Sequence, residues 1–174
     1  MKTSRATLLL LLALSLPTLA DSPRELTWEA LIPADAPAAP PPVAMHDLLQ
    51  LGNALSAESA PPVAQQRPSE PTVSELDGVS VKLPGYIVPL DVSEEGRGTE
   101  FLLVPYFGAC IHVPPPPSNQ IVHVRSENGV MLDTLYQPFW IEGLLRVEQS
   151  HSDLAESGYA MLAGKIYPYE MPDQ

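Results

Sequence analysis

Short apolar runs that alternate with polar residues fill the chain from Val79 to Tyr169, and this pattern constrains the fold more than any other feature. Alternation with a period of two is typical of β-strands that bury one face. Glycine- and proline-containing segments separate five predicted strands, at residues 79–90, 100–107, 121–125, 139–148 and 159–169. The alternation is clearest at residues 79–83 and 121–125, whereas residues 101–107 are an apolar run. We therefore predict a mainly β protein, a small five-stranded OB-like barrel over residues 73–172, with a small sandwich as the alternative.

Three turn signals punctuate these strands. Pro84-Gly85 lies inside the first run and predicts a bulge or a sharp bend, as at the corner of a barrel. Residues 127–129, Glu-Asn-Gly, predict a turn after the third run. Residues 153–158 predict a short helical turn that ends at its final glycine.

The N-terminus predicts export from the cytoplasm. Lys2 and Arg5 form a positive start, residues 6–16 are mostly leucine and alanine, and small residues precede the junction after Ala20. These are the three parts of a cleavable signal peptide, which we assign to residues 1–20. The apolar stretch is shorter than the ~20 residues that a membrane-spanning helix needs. We therefore expect no transmembrane anchor after cleavage, with an uncleaved anchor as the alternative.

The chain that remains after cleavage is strongly acidic. Nine basic and 21 acidic residues give the whole sequence a net charge of −12, and removal of Lys2 and Arg5 changes it to −14. A phosphate backbone repels such a protein, so we expect it to bind no nucleic acid. Solubility alone explains a charge of this kind, and cations or basic partners are the ligands that it favours.

Residues 21–72 form an extension whose composition differs from that of the strands. Segments 34–42 and 56–72 are rich in proline and alanine, which is typical of extended linkers that bury little surface. Two apolar pieces interrupt them, a helical turn that begins near Trp28 and stops at Pro33, and a short amphipathic helix over residues 45–55. We expect Trp28 to dock on the folded domain or on a partner, because an indole that stays exposed loses the stabilisation that its burial would give.

Cys110 is the only cysteine, so no disulfide within the chain is available. His112 follows it by two residues, and in an extended segment such side chains point to the same face. A thiolate and an imidazole together suit zinc, with copper as the alternative metal. The prolines at 114–117 stiffen the segment. Zinc takes three or four ligands, and His123 on the next strand is the candidate third, with Glu142 or another acid as a further one.

Other interpretations of this segment stay open. Cys110 can be a buried structural thiol, with His112 hydrogen-bonded in the loop. It can be a nucleophile with His112 as its base, although no acid that would orient the base is evident. The proline run can instead be a docking surface for a partner protein, as proline-rich segments often are. In that case the protein is an adaptor that needs no chemistry at Cys110.

A set of short motifs extends over nearly the whole chain after the signal peptide. The longest is residues 108–117, Gly-Ala-Cys-Ile-His-Val followed by four prolines. The others are Trp28 with residues 31–33, and the residues at 76–78, 83–86, 88–90, 101–105, 119–120 and 158–159. Together they resemble a family of small exported bacterial proteins that is catalogued as domain of unknown function 3299.

The resemblance implies a periplasmic protein of a Gram-negative bacterium with an OB-like barrel, and it assigns no reaction. Such proteins are associated with ABC-type transport systems and with metal supply, which favours the metal interpretation of Cys110 and His112. We therefore expect a non-enzymatic, zinc-binding periplasmic protein, with an envelope transporter or another periplasmic protein as its partner. The alternative is an adaptor without metal, and the residues expected at its partner surface are Trp28, Pro114, Pro115, Pro116, Pro117 and Asn119.

Overall fold

The computed structural model describes residues 22–36, 65, 67–110 and 114–170. Within them the chain is mainly β, as predicted, and five long strands close into a barrel. The proposed signal peptide, the helix predicted over residues 45–55, and His112 lie outside the described residues. The strands are β1 (Arg24–Glu25), β2 (Ser80–Val92), β3 (Arg97–Val104), β4 (Val122–Met131), β5 (Phe139–Arg146), β6 (Ser150–His151), β7 (Glu156–Ser157) and β8 (Tyr159–Pro168).

The barrel closes because β2 is long enough to pair with two strands. Its first half pairs with β5 as far as Gly85, and its second half pairs with β3, both antiparallel. A Cβ atom at Gly85 would lie 2.8 Å from the carbonyl oxygen of Val104, so only glycine lets β3 approach at this point. The predicted corner at Pro84-Gly85 is therefore the place where β2 changes partner. The register shifts of β2 lie further on, between Pro89 and Val92.

The remaining barrel strands follow in the order β3, β4, β8 and β5, and β5 returns to β2. Strands β3 and β4 are antiparallel, β4 and β8 are parallel, and β8 and β5 are antiparallel. This closed five-stranded arrangement confirms the predicted OB-like barrel.

The helical turn predicted over residues 153–158 is wrong. Strands β6 and β7 pair here as a short antiparallel hairpin. Ser152 stabilises the tip of this hairpin. Its hydroxyl donates to the Ala155 carbonyl at 2.8 Å and accepts from the Ala155 backbone amide at 3.1 Å. A serine that bonds to nearby backbone in this way competes with helix formation, which explains the difference.

The turn predicted at residues 127–129 is a bulge inside β4. The pairing with β3 passes from Gly98 opposite Val130 to Glu100 opposite Arg125, which leaves four residues of β4 opposite Thr99 alone. The turn chemistry is present, since Gly129 has φ 59° and its amide donates to the Ser126 hydroxyl at 3.2 Å. The turn at residues 127–129 therefore bends β4 and does not end it.

Side chains on the barrel strands alternate between two hydrophobic clusters. On β3, Phe101 and Leu103 point into the barrel, whereas Leu102 and Val104 point to its outer face. The inner cluster draws on all five barrel strands. The outer cluster is smaller, and its buried members are Val88, Leu102, Val104, Ala109, Ile121 and Ala155. Residues of the β3–β4 connection and of the β6–β7 hairpin therefore cover the outer face.

The described extension is attached to the barrel. Strand β1 adds to β2 in parallel, and the predicted helical turn is present as a 3₁₀ turn, Trp28–Leu31. The Trp28 indole N–H donates to the Pro84 carbonyl at 2.7 Å, and Leu31 is fully buried in the inner cluster. In the part of the chain that the structure describes, no helix has the length and apolar character needed to cross a membrane.

The last residues of the predicted 56–72 linker also contact the barrel. Arg67 and Glu70 form a two-bond ion pair with 2.6 Å distances, and the Glu70 amide donates to the Ser118 hydroxyl at 2.9 Å. The Asn119 side-chain amide donates to the Pro71 carbonyl at 3.0 Å. Residues 67–72 are therefore bound to the domain and do not form a free spacer.

Candidate functional site

The connection between β3 and β4 covers the outer face of the barrel. OB folds use the face of their second and third strands, here β3 and β4, to bind oligonucleotides and oligosaccharides. In this chain Ala109 and Ile121 pack on Leu102 and Val104, and both of these side chains are almost completely buried. The protein's own connection thus occupies much of the usual ligand surface.

Cys110 lies at the edge of the outer cluster. Its backbone is in the left-handed region, with φ 67°, which costs a residue with a side chain about 1–2 kcal/mol. The backbone is therefore not extended at Cys110, and the argument that Cys110 and His112 share a face because of extended geometry is wrong. Their separation of two residues still holds them near each other. The position of the His112 ring lies outside the described residues.

The thiol of Cys110 is half-buried against the outer cluster, and this burial raises its pKa to about 11. Burial, and then the nearby Cys110 thiol, raise the pKa of Tyr106 as well. At neutral pH the thiol is protonated and is a poor nucleophile, which disfavours a catalytic role for Cys110. A metal ion must displace this proton in order to bind sulfur.

Within residues 22–36, 65, 67–110 and 114–170, no three His, Cys, Asp or Glu side chains are grouped so that they could hold a metal. A metal site at Cys110 therefore requires a ligand outside those ranges, such as His112, or a ligand from water or a second molecule. Glu142 is engaged elsewhere, since its carboxylate accepts from the Tyr167 hydroxyl at 2.7 Å and pairs with Lys165 at 3.4 Å.

His123, the predicted third ligand, is on the outer face with both ring nitrogens engaged. Its Nδ1 lies 2.7 Å from Ser150 Oγ, and its Nε2 lies 2.7 Å from Glu100 Oε1. The side chain is only 8% exposed. His123 must give up one of these hydrogen bonds to become a metal ligand.

These contacts belong to a longer polar chain on the outer face. Arg125 lies 3.3 Å from Glu100 Oε1 at one end, and Ser157 Oγ lies 2.7 Å from Ser150 Oγ at the other. Burial by itself raises the pKa of Glu100, but the hydrogen bond from His123 and the charge of Arg125 outweigh it and hold the pKa below its usual value. Sequence patterns do not show this chain, because it depends on which strands are neighbours.

Most of the residues predicted to contact a partner face the protein itself. Pro115 and Pro116 are buried, and the Gln65 side-chain amide donates to the Pro116 carbonyl at 3.0 Å. Asn119 is 3% exposed and bonds to the extension, as described above. Trp28 is held on Pro84. The proline run is therefore packed against the domain over much of its surface.

A buried polar turn after the prolines ties three segments together. This 3₁₀ turn, Ser118–Gln120, has all three residues buried. The Gln120 side-chain amide donates to the Trp28 carbonyl at 2.9 Å, and the Ser118 carbonyl accepts from the Gly158 backbone amide at 2.8 Å. The importance of Ser118 and Gln120 was not predicted, because polar residues after prolines have the composition of an ordinary surface turn.

Comparison with known proteins places the chain in a family. A family model described as a protein of unknown function (DUF3299) matches residues 28–168. The chain belongs to the DUF3299 family. The resemblance predicted from the sequence motifs is thus confirmed. No curated protein matches the chain.

A solved relative shares this DUF3299 barrel. It is a DUF3299 family protein from Pseudomonas aeruginosa PAO1, whose crystal structure was determined at 2.45 Å resolution. The two chains are 60% identical, with a TM-score of 0.76, over 87% of this chain and 99% of the relative. These similarities establish the family and the fold of the chain. The function of the DUF3299 site must therefore be argued from its residues.

Proposed function

We propose that this DUF3299 protein is exported to the periplasm and binds a transition-metal ion, zinc first and copper as the alternative, at the loop around Cys110. The observation that carries the proposal is the left-handed backbone of Cys110. Backbone strain of this kind persists only where the surrounding structure holds it, and it is concentrated at functional sites. Two described non-glycine residues have this backbone, Arg67 and Cys110. Cys110 is the only cysteine of the chain, and a histidine follows two residues later.

The packing around Cys110 supports a role in binding. Ala109, directly before it, is fully buried in the outer cluster, and Ile121 is fully buried where the chain enters β4. Between these anchors, Cys110 is only partly buried. The connection is thus fixed at both ends on the barrel, while the sulfur stays at the edge of the apolar cluster, where an ion can reach it.

The chemistry of the two side chains supports zinc or copper. Thiolate and imidazole are preferred ligands of both metals. With Cys110 and His112 as the protein ligands, water or a group from a second molecule completes the coordination. Structural zinc sites are closed by four protein ligands, so a site with open positions suits a protein that passes its metal on. An envelope ABC-type transporter is the partner that we propose for this transfer.

The adaptor alternative lacks an observation in its favour. It requires Trp28, the proline run and Asn119 to be available at the surface. Trp28 and Asn119 instead make intramolecular hydrogen bonds, and Pro115 and Pro116 are buried. We therefore carry the metal proposal forward alone.

Calorimetric zinc titration of the chain from residue 21 onward, purified without a metal-binding tag, tests the proposal. We expect one zinc ion per chain, and a loss of affinity of about 100-fold or more in both Cys110→Ala and His112→Ala, because each removes a direct ligand. His151→Ala is the matched control, since His151 is an exposed histidine whose ring bonds to Glu156 at 2.6 Å. Unchanged stoichiometry and affinity in Cys110→Ala would refute the proposal.

The pH dependence of the same titration adds an independent check. The raised pKa of Cys110, about 11, means that the thiol loses a proton when it binds metal. Zinc affinity should therefore rise about tenfold per pH unit for each proton released, near neutral pH. Repeating the titration in buffers of different ionisation enthalpy counts the protons. Zinc binding without proton release would exclude Cys110 as a ligand.

A further inference from the structure

A carboxylate, an imidazole and a hydroxyl form a continuous hydrogen-bonded relay on the outer face of the barrel. Glu100 lies on β3, His123 on β4 and Ser150 on β6, and both contacts of the imidazole are 2.7 Å long. The set is the one that activates a serine in acyl-transfer enzymes. We propose that Ser150 is a nucleophile and that this protein has a second activity, transfer of an acyl group from a small uncharged ester.

The positions of the protons follow from the partners. Glu100 is a carboxylate at neutral pH and can only accept. The proton of a neutral His123 ring must therefore lie on Nε2, which leaves the lone pair on Nδ1. Ser150 is the group that faces Nδ1, so its hydroxyl donates to the ring. A hydroxyl that donates to a neutral imidazole is placed for removal of its proton.

Ser157 has a positioning role in this relay. It is 1% exposed, and its Oγ lies 2.7 Å from Ser150 Oγ. Because the Ser150 proton is directed to His123, Ser157 is the donor in the contact between the two hydroxyls. This bond fixes the rotamer of Ser150 on the hairpin while leaving its proton on the imidazole side.

Exposure determines the class of substrate. Ser150 is partly exposed, whereas His123 is 8% exposed and is shielded behind it. A shallow depression of about 280 Å³ borders the Glu100 end of the relay, lined by Thr99, Arg125 and Leu162 among others, and it does not include Ser150. A substrate must therefore reach Ser150 at the surface, which favours small esters. The net charge of −12 disfavours anionic ones.

The reaction uses only the groups of the relay and water. Ser150 Oγ forms a bond to the carbonyl carbon while its proton moves to His123 Nδ1, and the Glu100 carboxylate stabilises the resulting imidazolium through Nε2–H. The ester C–O bond then breaks, and the alcohol leaves with the proton from Nδ1. Water, which gives a proton to the same nitrogen, hydrolyses the acyl-serine. The two ring nitrogens exchange the roles that they have in serine proteases, and either nitrogen of a neutral imidazole can serve as the base while the other carries the proton.

Phosphonylation by a fluorophosphonate tests the proposal on the mature chain. In this reaction Ser150 Oγ displaces fluoride from phosphorus, and intact mass followed by peptide mapping locates the adduct. We expect one adduct, on Ser150. The rate of labelling should fall about 100-fold or more in His123→Gln, which removes the general base. Ser152→Ala is the matched control, because Ser152 lies in the same hairpin and bonds to Ala155, and its labelling should equal that of the wild type.

A purely structural role for the relay gives different results. In that case the folded wild-type chain acquires no adduct at Ser150 with excess probe, and this outcome overturns the proposal even if the variants are less stable. Labelling of Ser150 at the wild-type rate in His123→Gln or Glu100→Gln, with the fold checked by circular dichroism, also overturns it. Labelling of Cys110→Ala at the wild-type rate is expected, because this activity does not depend on the metal proposal.

Discussion

The inner and the outer hydrophobic clusters share strands but are built in different ways. Inside the barrel, apolar side chains come from all five barrel strands and from the extension, and strand pairing alone holds most of them in place. Outside, three strand residues are covered by Ala109, Ile121 and Ala155, which lie beyond the barrel strands. Strand β3 contributes to both, with Leu103 buried inside and Leu102 buried outside.

The outer cluster depends on polar contacts made by the segments that cover it. Its covering segments are held by side-chain-to-backbone hydrogen bonds, such as Asn119 to Pro71, Gln120 to Trp28 and Gln65 to Pro116. These bonds join the β3–β4 connection to the extension. The barrel is therefore the rigid support, and the part of the chain that carries Cys110 is an attachment to it whose position depends on a few bonds.

The two clusters should differ most in the free energy of unfolding that is lost when either of two neighbouring leucines on β3 is replaced by alanine. We expect Leu103→Ala to lower the free energy of unfolding by about 4 kcal/mol, because it leaves a cavity surrounded by sheet on all sides. Leu102→Ala should cost about 2–3 kcal/mol, since the covering segment can settle into the space. Urea unfolding followed by tryptophan fluorescence measures both. An equal or larger loss in Leu102→Ala would show that the outer cluster is as rigid as the inner one.

Loss of one polar attachment should have a smaller effect. Asn119→Ala leaves the Pro71 carbonyl without its donor and should cost about 1–2 kcal/mol. It should also speed proteolytic cleavage of residues 65–73, because that segment loses a contact with the barrel. Asn128→Ala, at an exposed position on β4, is the matched control and should change neither quantity. If the two variants behave alike, the polar turn does not hold the extension.

Acidification should remove the contribution of Glu100 to the free energy of unfolding, which is smaller still. Its pKa is lower in the folded than in the unfolded chain, so its stabilisation is present above the ordinary carboxyl pKa and is lost as pH falls through the lowered value. Because the carboxylate is one-third exposed, we expect about 1 kcal/mol or less at neutral pH. The difference in the free energy of unfolding between wild type and Glu100→Gln should fall towards zero in acid.

The exposed Glu127→Gln provides the baseline for this pH series. The free energy of unfolding of Glu127→Gln should be close to that of the wild type at every pH. A wild-type advantage over Glu100→Gln that stays constant down to acid pH would mean that the contacts with His123 and Arg125 do not depend on the charge of Glu100.

The barrel can be predicted from the sequence because its signal is local. The period-two alternation at residues 79–83 and 121–125 indicates which side chains share a face, and glycine at position 85 indicates the corner. The predictions of local structure are wrong where one short sequence pattern is compatible with two different structures. Residues 126–129 have turn chemistry but form a bulge, and Ser152 makes a hairpin tip where a helical turn was predicted.

The candidate site is much harder to predict, because its contacts are distant in the sequence. Gln120 bonds to a residue 92 positions away, and His123 bonds to Glu100 and Ser150, 23 and 27 positions away. Sequence identifies Cys110 as unusual by residue type alone. Its left-handed backbone and its raised pKa result from how the connection packs on the outer face, which no local pattern specifies.

X-ray absorption at the zinc edge tests most directly whether Cys110 is a metal ligand. The mature chain, loaded with one equivalent of zinc, is compared with Cys110→Ala treated in the same way. We expect one sulfur at about 2.3 Å together with nitrogen or oxygen ligands at about 2.0–2.1 Å, and loss of the sulfur shell in the variant. A wild-type spectrum with nitrogen and oxygen ligands alone, or no bound zinc, would contradict it.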